Sequence, residues 1–71
     1  MYLGWEDHDR KRGARDKIRD AIDAYVARFG CRPAVVLIST ADAQAAGVER
    51  VDGVPIRVEG YIRPNNFWPG E

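Results

Sequence analysis

The stretch Ala34-Val35-Val36-Leu37-Ile38, followed by Ser39-Thr40-Ala41-Asp42, decides the fold. The first five residues form a continuous apolar run rich in β-branched side chains. A run without alternation marks a strand buried on both faces, so residues 34 to 38 are expected to form the central strand of a sheet. The next four have capping-box spacing, with Ser39 as cap and Asp42 reaching back. Ala43, Ala45 and Ala46 favour helix and Gly47 ends it, which predicts a short helix over Thr40 to Ala46.

Toward the N-terminus, Ala14, Ile18, Ala21, Ile22, Tyr25, Val26 and Phe29 recur at helical spacing and form one apolar stripe. Asp16, Lys17, Arg19, Asp20 and Asp23 fill the opposite face. Gly30 is placed to cap this helix in the left-handed conformation, and Pro33 follows three residues later. Glu6, Asp7 and Asp9 suit a first turn, where acids complement the helix dipole. Glu6 with Arg10, and Asp7 with Lys11, stand four apart in the favourable acid-first order. The helix is therefore expected to begin at about Trp5 or Glu6, weakened by Gly13.

Toward the C-terminus, Asp52-Gly53 is a two-residue hairpin signal with Val51 and Val54 facing each other beside it. Val54, Ile56 and Val58 alternate with Pro55, Arg57 and Glu59. Pro55 lacks an amide proton and marks an unpaired strand edge. Residues 61 to 71 contain two prolines and read as an irregular tail. The order is α-β-α-β-β, which predicts a two-layer α/β (α+β) domain. Its three-stranded mixed sheet would be covered by a long first helix and a short second one. Strand order does not follow from these signals.

Length and composition bound the rest. Seventy-one residues make one domain, 1 to 71. Such a chain buries only about 60% of its unfolded surface, so its own core is marginal. Cys31 is the only cysteine and His8 the only histidine, which rules out an internal disulfide and argues against a four-ligand zinc site. No apolar run reaches the roughly 20 residues of a membrane helix, and the N-terminus lacks the pattern of a secretory signal. A lone cysteine fits a reducing compartment, so the expected location is cytoplasmic. The 11 bases and 11 acids cancel, which argues against a strongly basic or acidic function carried by the whole surface.

Two local features carry the functional expectations. Tyr2, Trp5, Phe67 and Trp68 lie near the chain ends, outside the core pattern, with Arg63 beside Pro64. Such aromatics either fold back and cap the small core or form a contact surface, since Trp, Tyr and Arg dominate interface hot spots. On the second reading Tyr2, Trp5, Pro55, Arg63, Phe67 and Trp68 are the expected partner-contact residues, and base stacking is a third use. The second feature is basic: Arg10, Lys11, Arg12, Arg15, Lys17 and Arg19 fall within ten residues, with Asp16 the only acid among them. Arg10, Lys11, Arg12, Arg15 and Arg19 are the candidates for phosphate contact, against a solvated face laced by ion pairs.

Other constellations are weaker. Glu6-Asp7-His8-Asp9 holds metal-ligand types, but consecutive helical residues do not converge on one ion. Cys31, after the helix C-terminus, sits where the dipole disfavours a thiolate. His8 would be about 30 Å away along the same helix. Ser39 and Thr40 read as helix caps, and no glycine-rich phosphate loop or dinucleotide fingerprint is present. No catalytic residue, metal or cofactor is expected. The leading reading is a non-enzymatic protein-interaction module or accessory subunit, with self-association as one form of it. A nucleic-acid-binding accessory protein using the basic first helix is the alternative. An enzyme completed by a partner chain comes third.

Overall fold

Val35–Ile38 (β2) lies third in a sheet of five strands, with neighbours on both sides. The computed structural model describes residues 1–71. Its elements are β1 (Trp5–Glu6), α1 (Ala14–Phe29), β2, α2 (Thr40–Ala46), β3 (Arg50–Val51), β4 (Val54–Val58) and β5 (Asn66–Gly70). The sheet order is β1-β5-β2-β4-β3. β2 and β4 run parallel, and every other pair is antiparallel. The domain is a two-layer α+β arrangement with both helices on one face of a mixed sheet.

Register sorts the side chains onto the two faces. Val36 is opposite both Pro69 and Ile56, and Ile38 is opposite both Phe67 and Val58. This side of the sheet faces the helices. Val36, Ile38, Phe67 and Val54 join Ile18, Ala21, Ile22, Ala46 and Val51 in one core cluster. Leu37 alternates to the other face, between Trp68 and Arg57. It is nonetheless buried, so the unalternating run of β2 does mean burial on both faces.

α1 buries Lys17, Ile18, Ala21, Ile22 and Tyr25 against the sheet. Its stripe follows the expected periodicity, except that Val26 is left exposed. Gly30 adopts φ 75° and donates its N–H to the Val26 carbonyl at 2.8 Å, ending the helix at the expected residue. Burial pushes the Tyr25 phenol pKa up, helped by the charge of Glu71 and the Cys31 thiol, so the ring stays neutral. No helix is long and apolar enough to cross a membrane.

Three expectations are corrected. α1 begins at Ala14, not at Trp5 or Glu6, so Arg10, Lys11 and Arg12 lie in the loop that precedes it. Asp7 Oδ1 accepts the Asp9 N–H and Asp9 Oδ1 accepts the Lys11 N–H, both at 2.9 Å. Aspartates that bond backbone two residues on give the chain an alternative to helix, and here that alternative wins.

The tail is not irregular. Residues 66 to 70 form β5, inserted between β1 and β2, which makes the sheet five-stranded rather than three-stranded. Pro69 is tolerated inside it for a geometric reason. In an antiparallel ladder the N–H and C=O of one residue point to the same side. The Pro69 carbonyl accepts the Leu3 N–H at 2.9 Å, so the missing proton also falls on the side away from β2. The pairs with β1 are confined to Phe67 and Asn66, and Pro69 lies beyond them.

Pro55 does not mark an open edge either. β4 is an inner strand and β3 is the edge. Ile56 donates its N–H to the Glu49 carbonyl at 2.9 Å, so Pro55, opposite Arg50, occupies a position that owes β3 no proton. The ladder with β2 starts only at Ile56. The hairpin itself is as expected, with Asp52 at φ 51° and Gly53 at φ 81°, the paired positive values of a type I′ turn.

The chain ends meet. Trp5 pairs with Phe67, and Tyr2 bridges to Gly70. A Cβ on Gly70 would overlap the Tyr2 ring and the Met1 carbonyl oxygen. Gly70→Ala should therefore release the N-terminal segment. Amide exchange should show lost protection at Leu3 and Asp7, with β2 and β4 still protected. Phe67→Ala, at the centre of the core, should cost about 3–5 kcal/mol in urea denaturation. An unchanged midpoint would mean that β5 does not carry the core.

Candidate functional site

Two surfaces concentrate groups that can bind. The first is a cleft of about 500 Å³ at the N-terminal end of α1, lined by His8, Arg10, Arg12, Gly13, Ala14, Lys17, Asp42, Ala45 and Asn65. Gly13, the N-cap residue, offers no side-chain cap to the helix. The first intrahelical bond runs from the Lys17 N–H to the Gly13 carbonyl at 3.1 Å. The amides that precede it are the donors a helix leaves free at its start.

The sequence pattern puts Lys17 on the solvent face, but it is only 5% exposed. Its spacing does carry a signal: it stands three after Ala14 and four before Ala21, at the margin of the apolar stripe. Its Nζ donates to Asn65 Oδ1 at 3.1 Å. Asn65 takes φ 68°, a conformation asparagine tolerates better than most residues. Its backbone N–H donates to Asp42 Oδ2 at 2.8 Å. Asp42 Oδ2 also accepts the Ser39 hydroxyl at 2.8 Å, while Ser39 Oγ accepts the Asp42 N–H at 3.1 Å. Ser39 is thus the cap of α2, and in the reciprocal bond the Asp42 carboxylate accepts from the Ser39 hydroxyl rather than from its backbone N–H. A polar chain Lys17–Asn65–Asp42–Ser39 ties the start of α1 to the start of α2 through the loop leading into β5.

The other bases divide. Arg12 Nη2 lies 2.5 Å from Asp20 Oδ2, and its Nε is 3.8 Å from Asp7. Arg15 Nε donates to the Ala46 carbonyl at 2.8 Å, a cation at the C-terminus of α2 where the dipole favours it. Arg19 pairs with Asp16 and Asp52, both at 3.2 Å. Arg10 and Lys11 have no ion pair. Of the five phosphate candidates, the cleft brings together Arg10 and Arg12. Lys11 lies outside its lining, and Arg15 and Arg19 are engaged within the fold. His8, which forms a pair with Glu6 at 2.6 Å, also borders the cleft. Asp7 and Asp9 are engaged with backbone amides, and the acidic stretch does not gather three ligand side chains at one point.

The second surface is the sheet face without helices. Alternation places Tyr2, Gly70, Trp68, Leu37, Arg57, Pro55 and Arg50 there. Trp68 is 38% exposed and Tyr2 37%. A groove of about 150 Å³, lined by Tyr61, Ile62, Arg63, Asn66 and Trp68, opens beside them. Tyr61 is more exposed still, while Ile62 is buried.

Of the six expected contact residues, Tyr2, Pro55, Arg63 and Trp68 come together on or beside this face. Phe67 is fully buried in the core, and Trp5 packs against that core from the helix side. Aromatic residues at the two ends are thus divided between the core and the open face, with alternation along β5 deciding which. Tyr61 and Ile62 carry no signal in the sequence, because they lead into a strand that itself has none.

The chain matches no family model, and no curated protein or solved structure shows significant similarity to it.

Asp42 gives the polar chain a direct test. Asp42→Ala should leave the Ser39 hydroxyl and the Asn65 N–H without their acceptor and cost about 1–3 kcal/mol in urea denaturation. Asp23→Ala, at an exposed site with no ion pair, should stay within about 0.5 kcal/mol. Equal effects would show that the polar chain adds no stability.

Proposed function

We propose that this domain is a non-enzymatic interaction module that docks an acidic protein partner on its uncovered sheet face. The observation that carries the reading is a sheet covered on one side only, whose bare side presents Trp68, Tyr2 and Tyr61 beside Leu37. Exposed aromatic area of this kind, set among arginines, has the composition of interface centres. The molecule measures 28 × 22 × 20 Å and exposes 4445 Å². A standard interface takes about 800 Å² from each partner, nearly a fifth of that surface and so most of one face.

Charge selects among occupants. Arg50 and Arg57 share the face by register and Arg63 borders its groove, against Glu6, opposite Asn66 on the same face, and Glu59, 2.8 Å from Arg57, which leaves the face about +1. Two copies placed face to face would bring like charges together, whereas a partner with carboxylates around an apolar patch would not. Nucleic acid is favoured less. Trp5 faces the core, and Trp68 lies on the opposite side of the sheet from the basic cleft, so stacking and phosphate contacts do not share a surface.

A photo-crosslinker in place of Tyr61, introduced in the native cell, should capture one protein rich in carboxylates. Trp68→Ser and Arg63→Glu should each reduce the adduct at least about fivefold, the effect of a modest hot spot. Adducts only between copies, with concentration-dependent sedimentation, would overturn the acidic partner in favour of self-association. Quenching of Trp68 by single-stranded nucleic acid, lost on Arg63→Glu, would overturn the protein reading.

A further inference from the structure

The proposed docking face leaves the cleft at the start of α1 unexplained. The cleft holds a cation that the fold does not neutralise. Lys17 is buried, and no carboxylate lies within 4.0 Å of its ammonium. Its hydrogen-bond partner is the neutral Asn65 Oδ1, which leaves two of three N–H donors open to the cleft. Burying a charge without an opposite one is costly, and an anion in the cleft would relieve that cost.

The rest of the lining has the same sign. Arg10 has no ion pair, Arg12 is held in place by Asp20, and the uncapped first turn of α1 adds amide donors and the positive end of a helix of 16 residues. Asp42 is the one carboxylate in the lining, and its Oδ2 is already occupied by the Ser39 hydroxyl and the Asn65 N–H.

We infer that this cleft binds a phosphate monoester. With Arg12 paired to Asp20, Lys17 and Arg10 against Asp42 leave a lining charge of about +1, to which the start of α1 adds about +0.5, and a monoester of charge about −1.5 to −2 neutralises it. Its terminal oxygens meet Lys17 Nζ, the Arg10 guanidinium and the free amides of Ala14 to Asp16. A cleft of about 500 Å³ has room for a small organic group behind the phosphate. A phosphodiester backbone fits less well, since it carries one charge per phosphate and the neighbouring bases Arg15 and Arg19 are engaged elsewhere.

The test is a titration of the ¹⁵N-labelled full chain with inorganic phosphate, at ionic strength held constant with chloride. Saturable shifts are expected at the amides of residues 14 to 17 and 65. Arg10→Gln, at an exposed position, should weaken binding about three- to tenfold with the fold unchanged, the range of one charge-assisted contact. Lys17→Met should weaken it further, and its spectrum shows directly whether it folds. Shifts that do not saturate, or an affinity untouched by Arg10→Gln, would overturn the site. A short oligonucleotide with a 5′-phosphate should compete with inorganic phosphate, and the same strand without it should not. Equal competition by both would mean that the cleft takes diesters, and the monoester proposal would fall.

Discussion

The insertion of β5 between β1 and β2 is the constraint on which the rest depends. Without it β2 would be an edge strand, and Leu37 would have no Trp68 beside it. The pairing of Ile38 with Phe67 and of Trp5 with Phe67 draws both chain ends into one sheet. It also places Phe67 under α1, at the centre of the core. For a chain of 71 residues with no disulfide to staple it, this long-range pairing supplies the area that the local elements lack.

The same strand organises both surfaces. Its alternation sends Phe67 and Pro69 to the helices and Trp68 and Gly70 to the open face. Its approach loop puts Asn65 between Lys17 and Asp42, and so connects the start of α1 to the cap of α2. The Asn65 conformation at φ 68° aims its amide at one and its side-chain oxygen at the other. A left-handed turn ahead of an inner strand thereby builds one wall of the basic cleft, while the strand beyond it builds the aromatic face.

Charge is distributed unevenly despite a net of zero. Arg12, Arg15 and Arg19 are spent on contacts inside the fold, with Asp20, the Ala46 carbonyl, Asp16 and Asp52. Lys17 and Arg10 are not neutralised in this way, and they face the same cleft. The run of bases does not act as one unit. It is divided between structural pairing and a single pocket, with Lys17 as its buried member.

Elements set by near neighbours along the chain are legible in the sequence alone. The C-terminal cap at Gly30, the strand 35 to 38, the helix from Thr40 to Ala46 with its Ser39 cap, and the Asp52-Gly53 turn all rest on short-range geometry. Tyr2, Arg63 and Trp68 stand out by residue type, but their shared side of the sheet depends on β5. The start of α1 misleads because Asp7 and Asp9 satisfy a helix dipole and an Asx turn equally well. Only the chain path chooses between them. Residues 66 to 70 carry Asn, Pro and Gly, and their strand identity comes from partners about 30 and 60 residues away in sequence, which no local propensity encodes. The burial of Lys17 is decided in the same way, by a loop nearly fifty residues distant. Tertiary pairing determined the strand order, the two faces of β5 and the uncompensated charge in the cleft, because each depends on which distant segment fills the space.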